Sequence, residues 1–262
     1  MNIAVFLDID GTIVDTTRGL YHPSEKTVYS VKELQKRGHY VILSSGRPKC
    51  LLDEAIVQLH ADGMVLSNGA YIEVNGSHIY KKHLDYRDLK KLSEFIADSN
   101  AMCLYEEQEG LLFQGNTDLL DGFSRLWDME LTYEKRAPEE NDEVYKLSVS
   151  FEDQRSSSLF IETFKTDFDI RIQSNHIAYD VGPKFVSKGI AVKMVLDKLN
   201  IDKDSAYAFG NGINDLEMLK NVGHPFSMKN SESELLKEIK SVADDVLDDG
   251  VYKQLRNLSL IS

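Results

Sequence analysis

The stretch Ile3-Ala4-Val5-Phe6-Leu7-Asp8-Ile9-Asp10-Gly11-Thr12 decides how the rest of the chain is read. Five consecutive apolar residues suit a strand buried on both faces, and such strands belong to parallel sheets covered by helices. The abrupt change at Asp8 delivers carboxylates to the carboxyl end of that strand. Gly11 lets the backbone leave the strand sharply. Taken alone, Asp-x-Asp-Gly is also an ordinary solvated turn, so its reading depends on the rest of the chain.

The chain repeats the move. His22-Pro23-Ser24-Glu25 starts a helix, Val28, Val31 and Leu34 recur at helical spacing, and Gly38 stops it. Tyr40-Val41-Ile42-Leu43 is a second apolar strand that opens into Ser44-Ser45-Gly46-Arg47. A helix near 48–59 and a strand at 63–66 come next, the strand running into Ser67-Asn68-Gly69-Ala70. This alternation predicts an α/β fold with a doubly wound, mostly parallel, Rossmann-like sheet. Residues 70–80 alternate around Asn75-Gly76, a hairpin signal.

Between 83 and 183 the rhythm changes to a helix (85–98), paired strands (101–114), a helix (116–128), a strand (144–151), a helix (153–165) and paired strands (168–181). Paired strands without crossover helices imply an α+β domain. After Gly182-Pro183 the first rhythm returns. Ser187 caps a helix carrying Ile190, Val192, Val195, Leu196 and Leu199. The strand Ala206-Tyr207-Ala208-Phe209 runs into Gly210-Asn211-Gly212-Ile213-Asn214-Asp215, with helices near 214–220 and 250–258. The expected architecture is a core built from residues 1–82 and 184–262, with an inserted α+β domain at 83–183.

Composition narrows the functions. The 262 residues are 42% hydrophobic and 28% charged, an ordinary globular balance. Lys and Arg total 30 against 43 Asp and Glu, a net charge of -13, which argues against nucleic acid and anionic membrane surfaces as partners. Cys50 and Cys103 have no metal-ligand spacing and are too few for a disulfide framework. No apolar run reaches the roughly 18 residues of a membrane span. The N-terminal apolar run meets acids at once, unlike a signal peptide. A cytoplasmic location is expected.

Four polar clusters, Asp8–Thr12, Ser44–Arg47, Ser67–Ala70 and Gly210–Asp215, follow predicted parallel strands. In open α/β sheets such strand ends line one crevice, so the clusters should converge. Asp8 and Asp10 flank a single residue, which is costly unless a cation lies between them or one holds a proton. A hard, oxygen-liganded cation such as Mg²⁺ meets the first condition. A carboxylate can attack phosphorus while a second acid protonates the leaving oxygen. Ser45 and Gly46 offer donors to phosphoryl oxygens, although a Ser-Gly turn before Pro48 explains them equally well. Lys188 sits in a helix first turn, where positive charge opposes the dipole; a lysine there can help the terminus hold phosphate, while a snorkelling surface lysine is the plainer reading. Asn211 and Asp215 could both face a metal, and Asn214 or Asp215 could simply cap a helix.

Together these motifs resemble the haloacid-dehalogenase-like hydrolase superfamily, and more narrowly its Cof-type phosphatases with a large α/β cap. The match runs through Phe6–Thr12, Ser45-Gly46-Arg47, Ser67–Ala70, Val186-Ser187-Lys188-Gly189, Asn214–Leu219 and Asp249-Gly250-Val251. The resemblance implies that Asp8 is the nucleophile and a Mg²⁺ ligand. It implies that Asp10 is the general acid and base and lends the metal its backbone carbonyl. Ser45, Gly46, Lys188 and Asn214, with Ile9 beside them, match the phosphate holders. Asp215 matches an acid that steadies the metal. Arg47, Asn68 and Gly69 stand where substrate could be touched. The family usually has Asp at the position of Asn211, so the metal site loses one negative charge here.

The implied activity is a Mg²⁺-dependent phosphatase acting on a small phosphorylated metabolite, such as a sugar phosphate, through an aspartyl-phosphate. A non-catalytic phosphometabolite sensor and a sugar phosphomutase are the alternatives. Tyr105, Glu107, Trp127, Tyr145, Lys146, Arg171 and Tyr179 could reach a substrate from the inserted domain, and all have ordinary readings as core or sheet-face residues.

Overall fold

The computed structural model describes residues 2–127, 130–173 and 177–262, with the backbone alone for residues 126 and 127. The chain forms two compact units. The first comprises Met1–Arg47, Leu52–Lys81 and Ser187–Ser262, and the second comprises Pro48–Leu51 and Lys82–Val186.

The first unit is built on the apolar run that opens the chain. Ala4–Asp8 is a strand with every residue buried. Val5, Leu7 and Ile9 point into one core with Val31, Leu34, Val41, Leu43 and Leu255. Ala4 and Phe6 point into a second core with Val192, Val195, Met218 and Leu219. Both faces are covered, which is why the run is apolar throughout rather than alternating. Among the described residues the sheet has eight strands. Their order from edge to edge is Val242–Ala243, His224–Met228, Ala206–Gly210, Ala4–Asp8, Tyr40–Ser44, Gly63–Leu66, Tyr71–Val74 and Ser77–Lys81. The first six are parallel, and the last two, joined at Asn75-Gly76, are antiparallel.

Caps explain where the helices begin. Ser24 accepts from the Thr27 amide at the start of Glu25–Lys36, and Ser187 accepts from the Ile190 amide at the start of Lys188–Leu199. The helix expected near 48–59 is not continuous. Lys49–Leu51 is a single tight turn, and Glu54–Val57 is a new short helix capped by Asp53, which accepts from the Ala55 amide at 2.8 Å. The Lys49 amide goes instead to Gln108 Oε1 at 2.9 Å, and Pro48–Leu51, read as core from the sequence, packs with the second unit.

Among the described residues the second unit has a six-stranded sheet in the order Asp169–Ile172, Ala178–Gly182, Lys146–Phe151, Ala101–Glu106, Leu111–Gly115 and Glu134–Lys135. It is antiparallel except at the last pair. Helices Tyr86–Ala97 and Gln154–Phe164 cover one face through an aromatic cluster of Phe95, Phe151, Phe160, Phe164 and Tyr179. Thr117–Trp127 places Leu120 against Met102, Leu104 and Phe113. Among the described residues no helix is long and apolar enough to cross a membrane.

Leu7 is buried between strand and helices one residue before Asp8. Leu7→Ala should therefore cost about 3 kcal/mol, as truncations of buried leucines do. Urea unfolding should show a lowered midpoint with an unchanged slope; a loss below about 1 kcal/mol would contradict this packing.

Candidate active site

The four polar clusters follow the carboxyl ends of Ala4–Asp8, Tyr40–Ser44, Gly63–Leu66 and Ala206–Gly210, which are neighbours in the first unit's sheet. From Ala4–Asp8 the chain proceeds to Tyr40–Ser44 on one side. From Ala206–Gly210 it proceeds to His224–Met228 on the other. Two neighbouring strands whose connections diverge leave a crevice between their loops. Asp8 lies on one side of that crevice and Asn211–Asp215 on the other.

Lys188 joins the two sides. It is fully buried, and its Nζ donates to Asp8 Oδ1 at 2.6 Å, to Asp215 Oδ1 at 2.6 Å and to the Ser44 carbonyl at 3.2 Å. Burial works against the charged ammonium, but Asp215 and Asp8 outweigh it and hold Lys188 above its ordinary value. Burial also pushes the Asp8 carboxyl up to about 7, reinforced by the Asp215 charge and opposed by Lys188. The second Asp8 oxygen accepts from Thr12 Oγ1 at 3.2 Å. Thr12 completes the Asp-x-Asp-Gly-Thr run, yet nothing in the local spacing assigned it this contact.

Asp215 does not cap the helix Leu216–Lys220 that follows: its side chain makes no capping hydrogen bond there and reaches back along the chain instead. Its Oδ2 accepts from the Asn211 and Gly212 amides at 3.0 and 3.1 Å. Both of its oxygens are thus engaged. Asn214 donates through Nδ2 to Asn68 Oδ1 at 3.2 Å, which ties the last cluster to the third.

The second cluster is tied to the third through the backbone. The Asn68 amide donates to the Ser45 carbonyl and the Ser67 amide to the Arg47 carbonyl. Ser67 and Asn68 both carry positive φ, 50° and 56°, a left-handed turn that these contacts hold in place. Gly69 comes next at φ 102°, where a Cβ would lie 2.5 Å from the Ser187 carbonyl oxygen; only glycine lets this turn approach the residue before Lys188. Ser45 is fully buried, and its Oγ accepts from the Arg47 amide at 3.0 Å, which leaves the hydroxyl proton to donate. The Ile9 side chain is buried in the core, so any part it plays at the crevice falls to its backbone.

Arg47 and Asp10 form a third ion pair of the site. Arg47 Nε donates to Asp10 Oδ2 at 2.9 Å and Nη2 donates to Oδ1, a bidentate fork. Arg47, expected near substrate from the resemblance, pairs with Asp10 across 37 residues, a contact that nothing local in the sequence indicates.

A divalent cation has a compatible donor set. Asp8 offers a carboxylate, Asp10 a main-chain carbonyl and Asn211 a side-chain carbonyl, all hard oxygens. Mg²⁺ is commonly held by one or two carboxylates together with substrate phosphate and water. Among the described residues no three His, Cys, Asp or Glu side chains gather to hold a metal. Asp215 and Asp10 place negative charge beside Asp8, adding to the burial that is the main cause of its raised carboxyl, and a cation would relieve that charge. Asn211 lies against Gly11: a Cβ on Gly11, at φ 76°, would fall 1.9 Å from Asn211 Nδ2.

In the second unit, Tyr105, Tyr145 and Tyr179 are buried. Lys146 is paired with Asp180 at 3.1 Å and Glu106 at 3.2 Å, and Arg171 with Asp169 at 2.8 Å. Glu107 closes a turn, its amide donating to the Gly110 carbonyl at 3.1 Å. The Trp127 side chain lies outside the described residues.

The family model for haloacid dehalogenase-like hydrolases matches residues 5–255. The candidate phosphatase YkrA of Bacillus subtilis (strain 168) is 27% identical over 98% of both chains. A hypothetical protein of Geobacillus kaustophilus HTA426 superposes with a TM-score of 0.89 at 26% identity, covering 100% of both chains. The HAD subclass IIB sugar phosphatase BT4131 shares the fold, with a TM-score of 0.84 at 21% identity, covering 99% of this chain and 100% of the other.

The raised Asp8 carboxyl has a measurable sign. Between the ordinary carboxylate range and about pH 7 the folded protein keeps a proton on Asp8 that the unfolded chain has released. Without metal, the contribution of Asp8 to stability therefore falls as pH rises through that window. Asp8→Asn, which removes the titration, should melt above the wild type at about pH 8 and converge with it near about pH 4. Thermal melts of metal-free protein check this; an equal gap at both values would contradict it.

Proposed function

The chain belongs to the haloacid dehalogenase-like hydrolase family, and from that premise we propose that it is a Mg²⁺-dependent phosphatase of small phosphorylated metabolites, working through an aspartyl-phosphate on Asp8. The observation that carries this reading is the buried Asp8–Lys188 contact at 2.6 Å: a carboxylate held beside an ammonium, at a strand end bordered by hydroxyl and amide donors. The candidate-phosphatase name of YkrA agrees with it.

In the proposed cycle an Asp8 oxygen attacks phosphorus as the bond to the leaving alcohol breaks. The Asp10 carboxyl gives its proton to that leaving oxygen. Asp10 then takes a proton from water as the water oxygen attacks phosphorus, the Asp8–phosphorus bond breaks, and inorganic phosphate leaves. Lys188, the Ser45 hydroxyl, the Gly46 and Ile9 amides and the Asn214 side-chain amide hold the phosphoryl oxygens while charge redistributes. Mg²⁺, held by Asp8, the Asp10 carbonyl and Asn211, would supply positive charge to those oxygens. Asp215 acts from behind, fixing Lys188 and the Asn211-Gly212 backbone. The intact Asp8, Asp10 and Lys188 favour turnover over silent binding. Because the fold is shared with a sugar phosphatase, phosphorylated sugars are the first class to screen.

Hydrolysis of an aryl phosphate should need Mg²⁺, disappear with a chelator and return when the ion is restored. Asp8→Asn should lower kcat by roughly a thousandfold or more, and Lys188→Met by about a hundredfold. Asn211→Asp should reduce the Mg²⁺ concentration needed for half-maximal activity, because a carboxylate replaces a neutral donor. Undiminished turnover by Asp8→Asn would overturn the assignment.

A further inference from the structure

We propose that Arg47 is a phosphate-operated latch on Asp10: its guanidinium holds the Asp10 carboxylate until a phosphoryl group takes the fork, and only then is Asp10 free to act. The proposal rests on the function above and adds to it the trigger that makes the acid available.

The geometry of the pair carries the inference. Arg47 Nε and Nη2 between them contact both Asp10 oxygens. A carboxylate that meets one guanidinium through both oxygens turns its edge to Arg47 and carries no proton for a leaving group, so the pair must open during each cycle. It is built to open from one side. The Asp10 side chain is 40% exposed, whereas that of Arg47 is 12% exposed. The carboxylate can swing away without being stripped of water, while the guanidinium stays.

Arg47 is also anchored. Its amide donates to Ser45 Oγ at 3.0 Å, and its carbonyl accepts from the Ser67 amide at 3.0 Å. Its backbone is thus fixed to the loop that carries Ser45 and Gly46, so the guanidinium keeps its place when Asp10 leaves it. Asp10 in turn lies two residues from Asp8. The two arms of the pair therefore stand on the two loops that border the Asp8 carboxylate.

A phosphoryl dianion is the natural competitor for this fork. A planar guanidinium matches two phosphate oxygens as well as it matches a carboxylate, with charge-assisted hydrogen bonds in both cases. The exchange breaks no covalent bond: two N–H···O contacts to Asp10 are replaced by two to the phosphoryl group, and the freed carboxylate, exposed to solvent, takes from water the proton it then gives to the leaving oxygen. Because both acceptors compete for one donor set, Asp10 pairing and phosphate binding oppose each other, and removing one must strengthen the other.

The test is a double-mutant cycle read by binding rather than turnover. Isothermal titration of the full chain with inorganic phosphate, in the presence of Mg²⁺, gives Kd for the wild type, Asp10→Asn, Arg47→Ala and the double variant. The latch predicts that Asp10→Asn tightens phosphate about fivefold or more in the Arg47 background and changes it less than about twofold in the Arg47→Ala background. Asp10→Asn keeps the size of a partly exposed side chain, so the fold is retained. Equal tightening in both backgrounds would mean simple removal of a charge and would overturn the latch, as would no tightening at all. If the wild type binds no phosphate, the functional reading falls and the latch with it. If phosphate binds without coupling, the latch alone falls.

Discussion

The fully buried ammonium of Lys188, 2.6 Å from both Asp8 and Asp215, is the interaction on which fold and chemistry both depend. A buried charge is tolerated only when paired and hydrogen-bonded, and with two carboxylates beside it Lys188 stays compensated even when one of them is neutral. Here the partners come from the first strand, the start of a helix some 180 residues later, and the loop after Ala206–Gly210. The chain can satisfy Lys188 only by bringing its two ends into one sheet. The same closure sets a carboxylate at the mouth of a crevice, beside donors able to hold an oxyanion.

The ion pairs of Lys188 and of Arg47 at the crevice have opposite character. Lys188 has no exposure, and its contacts are those of a fixed strut. Arg47 and Asp10 form a fork whose carboxylate reaches solvent, and contacts of that kind exchange. The division suits a hydrolase: the group that bears the covalent bond is held still, and the group that must give and take a proton can move. It also explains how a protein with a net charge of -13 can handle an anion. Lys188, Arg47 and the loop amides direct donors to one place inside a negative envelope, and a bound cation would offset the excess of Asp8, Asp10 and Asp215 over the two cations.

Much of this was legible in the sequence because it is encoded over short spans. Ile3–Leu7 could be read as a doubly buried strand from its uninterrupted apolar character, and Asn75-Gly76 as a hairpin from turn chemistry. The placement of Lys188 in a helix first turn allowed a phosphate-holding role, but a snorkelling surface lysine was the plainer reading, and full burial overturns it. Long-range pairings were not legible. The Asp10–Arg47 fork, the Thr12 contact to Asp8 and the link between Asn214 and Asn68 depend on how separate loops meet. The helix expected near 48–59 failed for a similar reason: Asp53 restarts it as a new cap, and Gln108 takes the Lys49 amide. His224–Met228 escaped notice because Pro225 reads against a strand, and Val242–Ala243 and Glu134–Lys135 are too short to carry a period.

The central claim, that Asp8 carries the phosphoryl group, is tested most directly by acid-quenching the protein during turnover of a phosphate ester and mapping the modified residue by peptide mass spectrometry. The expected result is a phosphoryl group on the peptide containing Asp8, assigned to Asp8 rather than Asp10 and released as turnover ends. A phosphoryl group on another residue, or steady turnover with no covalent species at any quench time, would contradict it.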